Sequence, residues 1–412
     1  VKGKIMDKLS KNYELKKILA LAFNPQIRAS KDQIDDLLSG KVYRYILDNG
    51  KIYSLFDGVK TKACVGTDYN FFFDKTNGNF NRWGKTYEDD PKFSPIGPEL
   101  IDLEISINGC PNNCSFCYKK NSNAPATNMS FETFKQIIDK VPKSVTQIAF
   151  GITGIQTNPD FIKMMEYCRS IGIIPNFTLS GIDLTDDMAE KVSKLVGAVA
   201  VSAYETNKNI CYNTVKKFID LGITQTNIHL MCSEQNEKFV YEVFNDYLTD
   251  PRLKKLNAIV ILGVKPKGRA KDSFTPLSTE KFQKLFQYCL NNNIRCGFDS
   301  CTAPKFEYAV TNMTGISEEE KTRYISMSES CESFGLFSSY INTFGEYFPC
   351  SFAEGECGWE KGLSVLSANN FLEDIWHGKI IKEWRDKSLS SCYKSGCRKC
   401  LIFDCVNPKE ME

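Results

Sequence analysis

Three cysteines, Cys110, Cys114 and Cys117, stand in the run Ser-Ile-Asn-Gly-Cys-Pro-Asn-Asn-Cys-Ser-Phe-Cys-Tyr. Thiolates are the usual ligands of a [4Fe–4S] cube, so three of them at this spacing hold three corners and leave one iron without a protein ligand. An open iron is a place where chemistry can occur. A zinc site or three buried thiols are the competing readings. Structural zinc, however, takes four ligands, and no fourth Cys or His lies within the loop. The alternating apolar run 100–107 just before the triplet predicts a strand that delivers the loop.

Of the 17 cysteines, ten fall into two groups: the triplet, and Cys331, Cys350, Cys357, Cys392, Cys397, Cys400 and Cys405. The scattered remainder, Cys64, Cys168, Cys211, Cys232, Cys289, Cys296 and Cys301, are expected mostly to pack as small hydrophobes. Disulfide scaffolds belong to short secreted chains, so iron–sulfur ligation explains the count better.

Between the two groups the chain alternates strand-like and helix-like segments. Helices are predicted over 130–141, 159–170, 186–195, 214–221, 238–247 and 279–290, and strands over 145–150, 174–179, 198–203, 226–231 and 258–264. Regular βα alternation implies a parallel sheet with helices outside it, either doubly wound or rolled into a barrel. The first hundred residues carry no cofactor motif. They predict a helix over 9–23, a hairpin over 41–56 around Asp48-Asn49-Gly50, and a second hairpin around Asn77-Gly78 with arms 70–73 and 80–83.

A chain of 412 residues predicts two or three units. The net charge of +2 provides no electrostatic footprint for nucleic acid. The apolar run 18–23 is too short to span a bilayer and is not followed by a cleavage pattern, so a soluble, cytoplasmic protein without a membrane partner is expected.

The triplet's spacing, with Phe116 directly before the third cysteine and Tyr118 directly after it, resembles the signature of the radical S-adenosylmethionine (SAM) superfamily. That resemblance implies a [4Fe–4S] cluster whose open iron is chelated by SAM, with Phe116 near the adenine. It also implies an α/β fold, a partial (β/α)6 TIM-like barrel, with the cluster loop after its first strand at the C-terminal mouth. An electron from an external flavodoxin- or ferredoxin-like donor would cleave SAM to a 5′-deoxyadenosyl radical that abstracts hydrogen, while the protein positions the target and excludes water and oxygen. The expected organisation is an α+β accessory region at 1–98, the barrel at 99–303 and a Cys-rich auxiliary domain at 304–412.

The family's Gly-Gly-Glu segment, which receives the SAM amino group, corresponds to Gly151-Ile-Thr-Gly154, without its acidic residue. Gly151 and Gly154 would allow close backbone approach and Thr153 a hydroxyl contact, or the segment is an ordinary turn. Ser202, in Val-Ser-Ala-Tyr, matches a position that contacts the ribose or carboxylate of SAM, or is a strand-ending serine. The stretch from Leu262 to Ala270 resembles a Pro-x-Gly-Arg-Ala segment, which would lay the backbone from Leu262 to Val264 beside the adenine. Lys265, Lys267 and Arg269 would then receive carboxylates of SAM or of a peptide, or form a solvated basic loop.

Cys331, thirteen residues, Gly345, four residues, Cys350 resembles the opening of the SPASM auxiliary-cluster module, and Cys397-Arg-Lys-Cys400 its later pair. The chain departs from that pattern after Cys400: Cys405 follows four residues on, no cysteine comes later, and Cys392 lies upstream. Two arrangements stay open. In one, Cys331, Cys350, Cys397 and Cys400 hold a single [4Fe–4S] cluster, as in the shortened twitch variant, with Cys357, Cys392 and Cys405 spare or structural. In the other there are two auxiliary clusters, one with an open iron or a non-cysteine ligand. A zinc on Cys392, Cys397, Cys400 and Cys405 competes with both.

Relatives with this module mostly crosslink, epimerise or oxidise a residue of a peptide or protein, which makes that the expected partner. A small-molecule dehydrogenase acting on a sugar-like or aminocyclitol alcohol is the alternative, and an electron-transfer or structural metal protein a third. Many peptide-modifying relatives begin with a winged-helix-like, leader-gripping domain, whose pattern is not found here. The accessory region could instead bind a peptide, cover the barrel mouth or mediate oligomerisation. At the junction of barrel and module, Cys301 could return a hydrogen atom and Asp299 could take a proton; a packed thiol and a turn-capping carboxylate are the plainer readings.

Overall fold

The computed structural model describes residues 13–411, so residues 9–12 of the helix predicted over 9–23 lie outside it. Helix α1 occupies 13–20, and Leu21–Phe23 forms a 3₁₀ turn. Helix α2 (Lys31–Ser39) starts at a capping box, in which Ser30 and Gln33 satisfy each other's backbone amides. It covers an antiparallel meander of β1 (Lys41–Ile46), β2 (Ile52–Asp57), β3 (Thr61–Val65), β4 (Asn70–Asp74) and β5 (Phe80–Trp83). Both predicted hairpins are present, the first closing at the Ile46 and Ile52 pair. Strands β3 and β4 are buried at every residue, which removes the in–out alternation that marks a strand, and only β4 adjoins an Asn-Gly turn signal, so β3 escaped the sequence reading.

The meander seals one end of the central sheet. Tyr69 donates to Glu99 at 2.6 Å, Lys62 donates to the carbonyls of Lys143 and Val145 at 3.1 and 2.9 Å, and Ile174 packs with Phe71 and Phe73. Glu99, Val145 and Ile174 all lie where central strands begin. The accessory region therefore sits at the N-terminal ends of those strands, opposite the mouth it was expected to be able to cover.

The predicted strand 100–107 divides into β6 (Leu100–Glu104), in the central sheet, and β7 (Ser106–Ile107), which pairs antiparallel with β8 (Thr127–Asn128). The βα alternation then follows as predicted: α3 (Phe131–Lys140), β9 (Gln147–Gly151), α4 (Phe161–Ser170), β10 (Ile174–Leu179), α5 (Asp186–Ser193) and β11 (Val199–Ala203). It continues through α6 (Lys208–Asp220), β12 (Thr226–Cys232), α7 (Glu237–Thr249), β13 (Ala258–Gly263), α8 (Thr279–Asn291) and β14 (Cys296–Phe298). Helix α3 is representative. Ser130 caps it by accepting from the Thr133 amide, and Phe134, Ile137 and Ile138, at helical spacing, are its buried stripe against the sheet.

Past α9 (Ala303–Thr311) and α10 (Glu318–Ser326), β15 (Ser338–Ile341) returns to the central sheet and pairs parallel with β6, opposing Tyr340 to Asp102. Strands β16 (Glu346–Phe348) and β17 (Leu363–Ser364) extend that edge antiparallel, and α11 (Lys379–Ser390) follows a π-helical turn at Phe371–Trp376. The order is β14-β13-β12-β11-β10-β9-β6-β15-β16-β17, with β6 and β9 to β14 parallel. The sheet is an open, partial barrel. Residues 304–412 are thus continuous with its edge through β15, hydrogen-bonded to β6, the strand that leads towards the cysteine triplet.

Candidate active site

The loop after β7 closes on its own backbone. Asn108 takes a left-handed φ of 58°, its amide donates to the Asn121 side chain at 3.0 Å, and its own side chain accepts from the Ser122 amide at 3.2 Å. The Cys110 amide donates to the Ser122 carbonyl at 2.8 Å and the Cys117 amide to the Cys114 carbonyl at 3.2 Å.

The basic stretch after β13 holds this loop from outside. Arg269 donates from Nε to the Cys114 carbonyl at 2.7 Å and from Nη2 to the Asn121 carbonyl at 2.9 Å, while its amide reaches the Cys117 carbonyl at 3.0 Å. Gly268, at φ 62°, makes the approach possible, since a Cβ there would lie 2.4 Å from the carbonyl oxygens of Cys117 and Tyr118. Lys267 donates to the carbonyls of Phe352 and Glu354, and Lys265 is buried in an ion pair with Asp299. All three charges are engaged within the protein, so they form neither the solvated loop nor the carboxylate receiver weighed from sequence.

A cavity of about 620 Å³ opens at the C-terminal ends of the parallel strands. Its wall brings together the triplet with Phe116, Gly151 and Thr153 after β9, Ser202 of β11, Leu262 and Val264 at β13, and Asp299 after β14. Thr153 turns its hydroxyl to the Asn108 carbonyl at 2.7 Å, so it braces the cysteine loop. Gly154 is outside the wall: a Cβ there would meet the Asp183 carboxylate at 2.6 Å, so its missing side chain makes room for that carboxylate. Cys301 is also outside, in a separate small cavity with Lys265, Lys305 and Val406.

Two of the triplet thiols act on the third. Burial pushes Cys114 up to about 11, and its neighbours Cys110 and Cys117 add to that shift. Against them works Tyr204, which hydrogen-bonds Cys114 and whose ring lies 5.1 Å from that of Phe116. Phe274 closes the same aromatic group at 5.7 Å. Sequence reasoning missed Tyr204, although its place two residues beyond Ser202, at the end of a predicted strand, carried the signal.

Further parts of the wall come from β6, β10, β12 and the returning chain, among them Asp102, Glu104, Thr178, His229, Tyr340 and Phe352. Lys119 bridges the two regions, 3.1 Å from Glu104 and bonded to Tyr340 and Glu354. Burial depresses His229 to about 4, with Asp299 partly opposing, so the ring is neutral at pH 7.

A second set of thiols lies within electrostatic reach of one another, and Cys301 and Cys400 also act on Lys265. Burial first, then Cys331 and Cys400, push Cys350 up to about 12. Burial likewise raises Cys331 to about 11, with Cys400 adding to it. Cys301 belongs to the same field: burial lifts its thiol, Lys265 opposes, and Asp299, Cys331 and Cys400 add to the rise. Burial and then Glu307 raise Cys397, with Cys331 adding to it, and Cys397 packs on Ala303 and Tyr393. Cys392 is bonded to the carbonyls of Ser388 and Leu389, and Cys357 and Cys405 are exposed. Among the described residues, no three His, Cys, Asp or Glu side chains gather tightly enough to share one metal ion. A cube asks for something else, one thiolate per iron at separate corners.

Residues 105–240 match the sequence model of the Radical SAM superfamily. The chain therefore carries a radical SAM domain, and enzymes of that superfamily use a [4Fe–4S] cluster and SAM. The fold agrees with solved structures. Streptococcus suis SuiB matches with a TM-score of 0.54 at 13% identity over 71% of this chain and 68% of that one. SuiB bound to S-adenosylmethionine matches with the same score and identity, over 73% and 69%. Native anSMEcpe with bound AdoMet and the Cp18Cys peptide matches at 0.51 and 14% identity, over 70% and 82%. No curated protein matches. Among the described residues, no helix is long and apolar enough to cross a membrane.

Proposed function

We propose that this protein is a radical SAM enzyme that modifies a residue of a peptide or protein substrate, with a [4Fe–4S] cluster on Cys110, Cys114 and Cys117 and one auxiliary cluster beside the barrel. The observation that carries this reading is the grouping of the three thiols with Phe116, Gly151, Ser202 and Val264 on one cavity wall at the strand ends. Three neighbouring thiols of one loop on this wall fit a cube that keeps one iron open, each giving up its proton to bind iron. Bound together and supplied with an electron by an external donor, cluster and SAM provide a 5′-deoxyadenosyl radical able to take hydrogen from an unactivated carbon.

The chain's own residues hold and enclose. Arg269 fixes the carbonyls of the cysteine loop, and Thr153 ties that loop to the end of β9. Tyr204 and Phe274 set the ring of Phe116, which would face the adenine. Phe352 and Tyr340 bring the returning chain into the cavity wall, and Lys119 latches it to Glu104. The auxiliary cluster is assigned to Cys331, Cys350 and Cys400 with Cys301 as fourth ligand, because Cys331 and Cys400 act on both Cys350 and Cys301 whereas Glu307 is the charge that acts most on Cys397. On this assignment Cys301 is a ligand and not a hydrogen donor. Asp299, held by Lys265 and Thr302, orients the partition between the two sites.

The peptide class is supported by the fold shared with anSMEcpe, which was solved with a bound peptide. Co-expression with a short peptide encoded beside this protein tests it. A mass change on that peptide is the expected result. An unchanged peptide, together with turnover of an aminocyclitol alcohol, would replace the peptide class with the small-molecule one.

A further inference from the structure

The charged side chains on the cavity wall are partnered, with one exception. Glu104 pairs with Lys119 at 3.1 Å and accepts from Thr343 at 3.1 Å, and Lys265 pairs with Asp299. Among the described residues Asp102 has neither cation nor hydrogen-bond donor, and burial alone lifts its carboxyl to about 6. Strand alternation turns Asp102 and Glu104 inward while Ile101 and Leu103 are buried in the core. A carboxylate in such a place is unfavourable unless something of opposite charge meets it.

The surroundings of Asp102 define what that something is. Its neighbours in register are Ala149, small enough to leave space, and Tyr340. Tyr118, whose hydroxyl feels the charges of Glu104 and Asp102, lies with its ring 4.7 Å from that of Phe352. These rings already receive cations from within the protein: Lys119 lies 4.5 Å from the centre of Tyr340, and Lys265 lies 5.0 Å from that of Phe352. A carboxylate between aromatic faces is a site for an ammonium group, which gains charge pairing and cation–π attraction together.

We propose that Asp102 anchors a primary ammonium group of the substrate, with Tyr118, Tyr340 and Phe352 as its aromatic walls. The proposal rests on the reading of this cavity as the substrate site. A lysine side chain in a peptide and an amine on a small cyclic alcohol share this chemistry, and the choice of probe separates them.

The test uses anaerobically reconstituted protein saturated with SAM. Binding of N-acetyl-lysine methylamide, its neutral isostere N-acetyl-norleucine methylamide, and 2-aminocyclohexanol is measured by calorimetry for wild type, Asp102→Asn and Asp102→Glu. Wild type is expected to prefer one of the amines over the norleucine probe by about tenfold or more, Asp102→Asn to lose that preference, and Asp102→Glu to keep part of it. The lysine probe winning assigns a peptide source, and the cyclic amine winning assigns a small molecule. Asp102→Asn should also melt a few degrees higher than wild type without probe, since it removes an unpaired charge. Equal affinity for charged and neutral probes in wild type, or an intact preference in Asp102→Asn, would overturn the proposal. A drop in SAM affinity in Asp102→Asn would assign the carboxylate to the cofactor and overturn it too. Formation of 5′-deoxyadenosine by wild type is read separately, so a failure of the radical SAM reading remains distinguishable.

Discussion

Cys110, Cys114 and Cys117 lie within eight residues of one loop, whereas Cys301, Cys331, Cys350 and Cys400 are gathered from a span of 100 residues. The first group is held by its own backbone turns and by Arg269 acting on its carbonyls. The second depends on β15 pairing with β6, on Arg398 donating to the Cys331 carbonyl at 2.6 Å, and on the Cys400 backbone bonding the Asn407 side chain at 2.8 and 3.1 Å. A local set survives as a spacing in the sequence; a gathered set exists only once the fold is complete. The same contrast says where each should break.

The largest effect concerns membership of the gathered set. In a background lacking the triplet cysteines, about four irons should remain per chain, the content of one cube. Adding Cys301→Ala should remove most of that iron and change the spectrum of the reduced cluster, whereas adding Cys397→Ala should leave both nearly intact. The opposite pattern in anaerobic iron analysis and electron paramagnetic resonance would return Cys397 to the ligand set and Cys301 to the cavity chemistry.

The local set should fail through its clamp. Arg269→Met removes two charged hydrogen bonds to loop carbonyls, each worth roughly 1.5–3 kcal/mol, and should slow 5′-deoxyadenosine formation at least about tenfold while leaving auxiliary iron unchanged. Arg269→Lys, without the planar fork, should recover only part of the rate. Full activity in Arg269→Met would mean that the loop holds itself.

The smallest effect probes the wall between the two sets, where His229 stays neutral. Its folded pKa of about 4 lies below the ordinary 6.5, so between these values the unfolded chain takes up a proton that the folded chain refuses. Wild type should therefore lose stability relative to His229→Gln as pH falls from about 6.5 towards 4, by an amount on the order of 2–3 kcal/mol. Melting curves of the two proteins across that range check it. Parallel curves would mean that His229 is open to water.

The parallel core was legible because its strands and helices keep clean periods and the triplet sits at the end of the first strand. The predicted strand 174–179 and β10 (Ile174–Leu179) coincide. What the sequence hid arises from contacts between distant segments. Strand β15 joins an edge 238 residues from its partner, Leu100 facing Ser338, and no local pattern announces that pairing. Lys265, Lys267 and Arg269 stayed open between a solvated loop and a receiver of carboxylates because charge patterning cannot reveal the Asp299 carboxylate that meets Lys265 or the carbonyls that meet Lys267 and Arg269. Cys301 looked isolated for the same reason, and Asp102 looked like one polar residue of an alternating strand.

The central claim is that the triplet at the barrel mouth turns SAM into a source of radicals. The direct measurement is 5′-deoxyadenosine formed when anaerobically reconstituted protein is given SAM and dithionite. Wild type should form it, and the Cys110→Ala/Cys114→Ala/Cys117→Ala protein, still holding its auxiliary iron, should form none. Iron-loaded wild type that binds SAM and leaves it uncleaved, or a triplet variant that cleaves it as well as wild type, would contradict the claim.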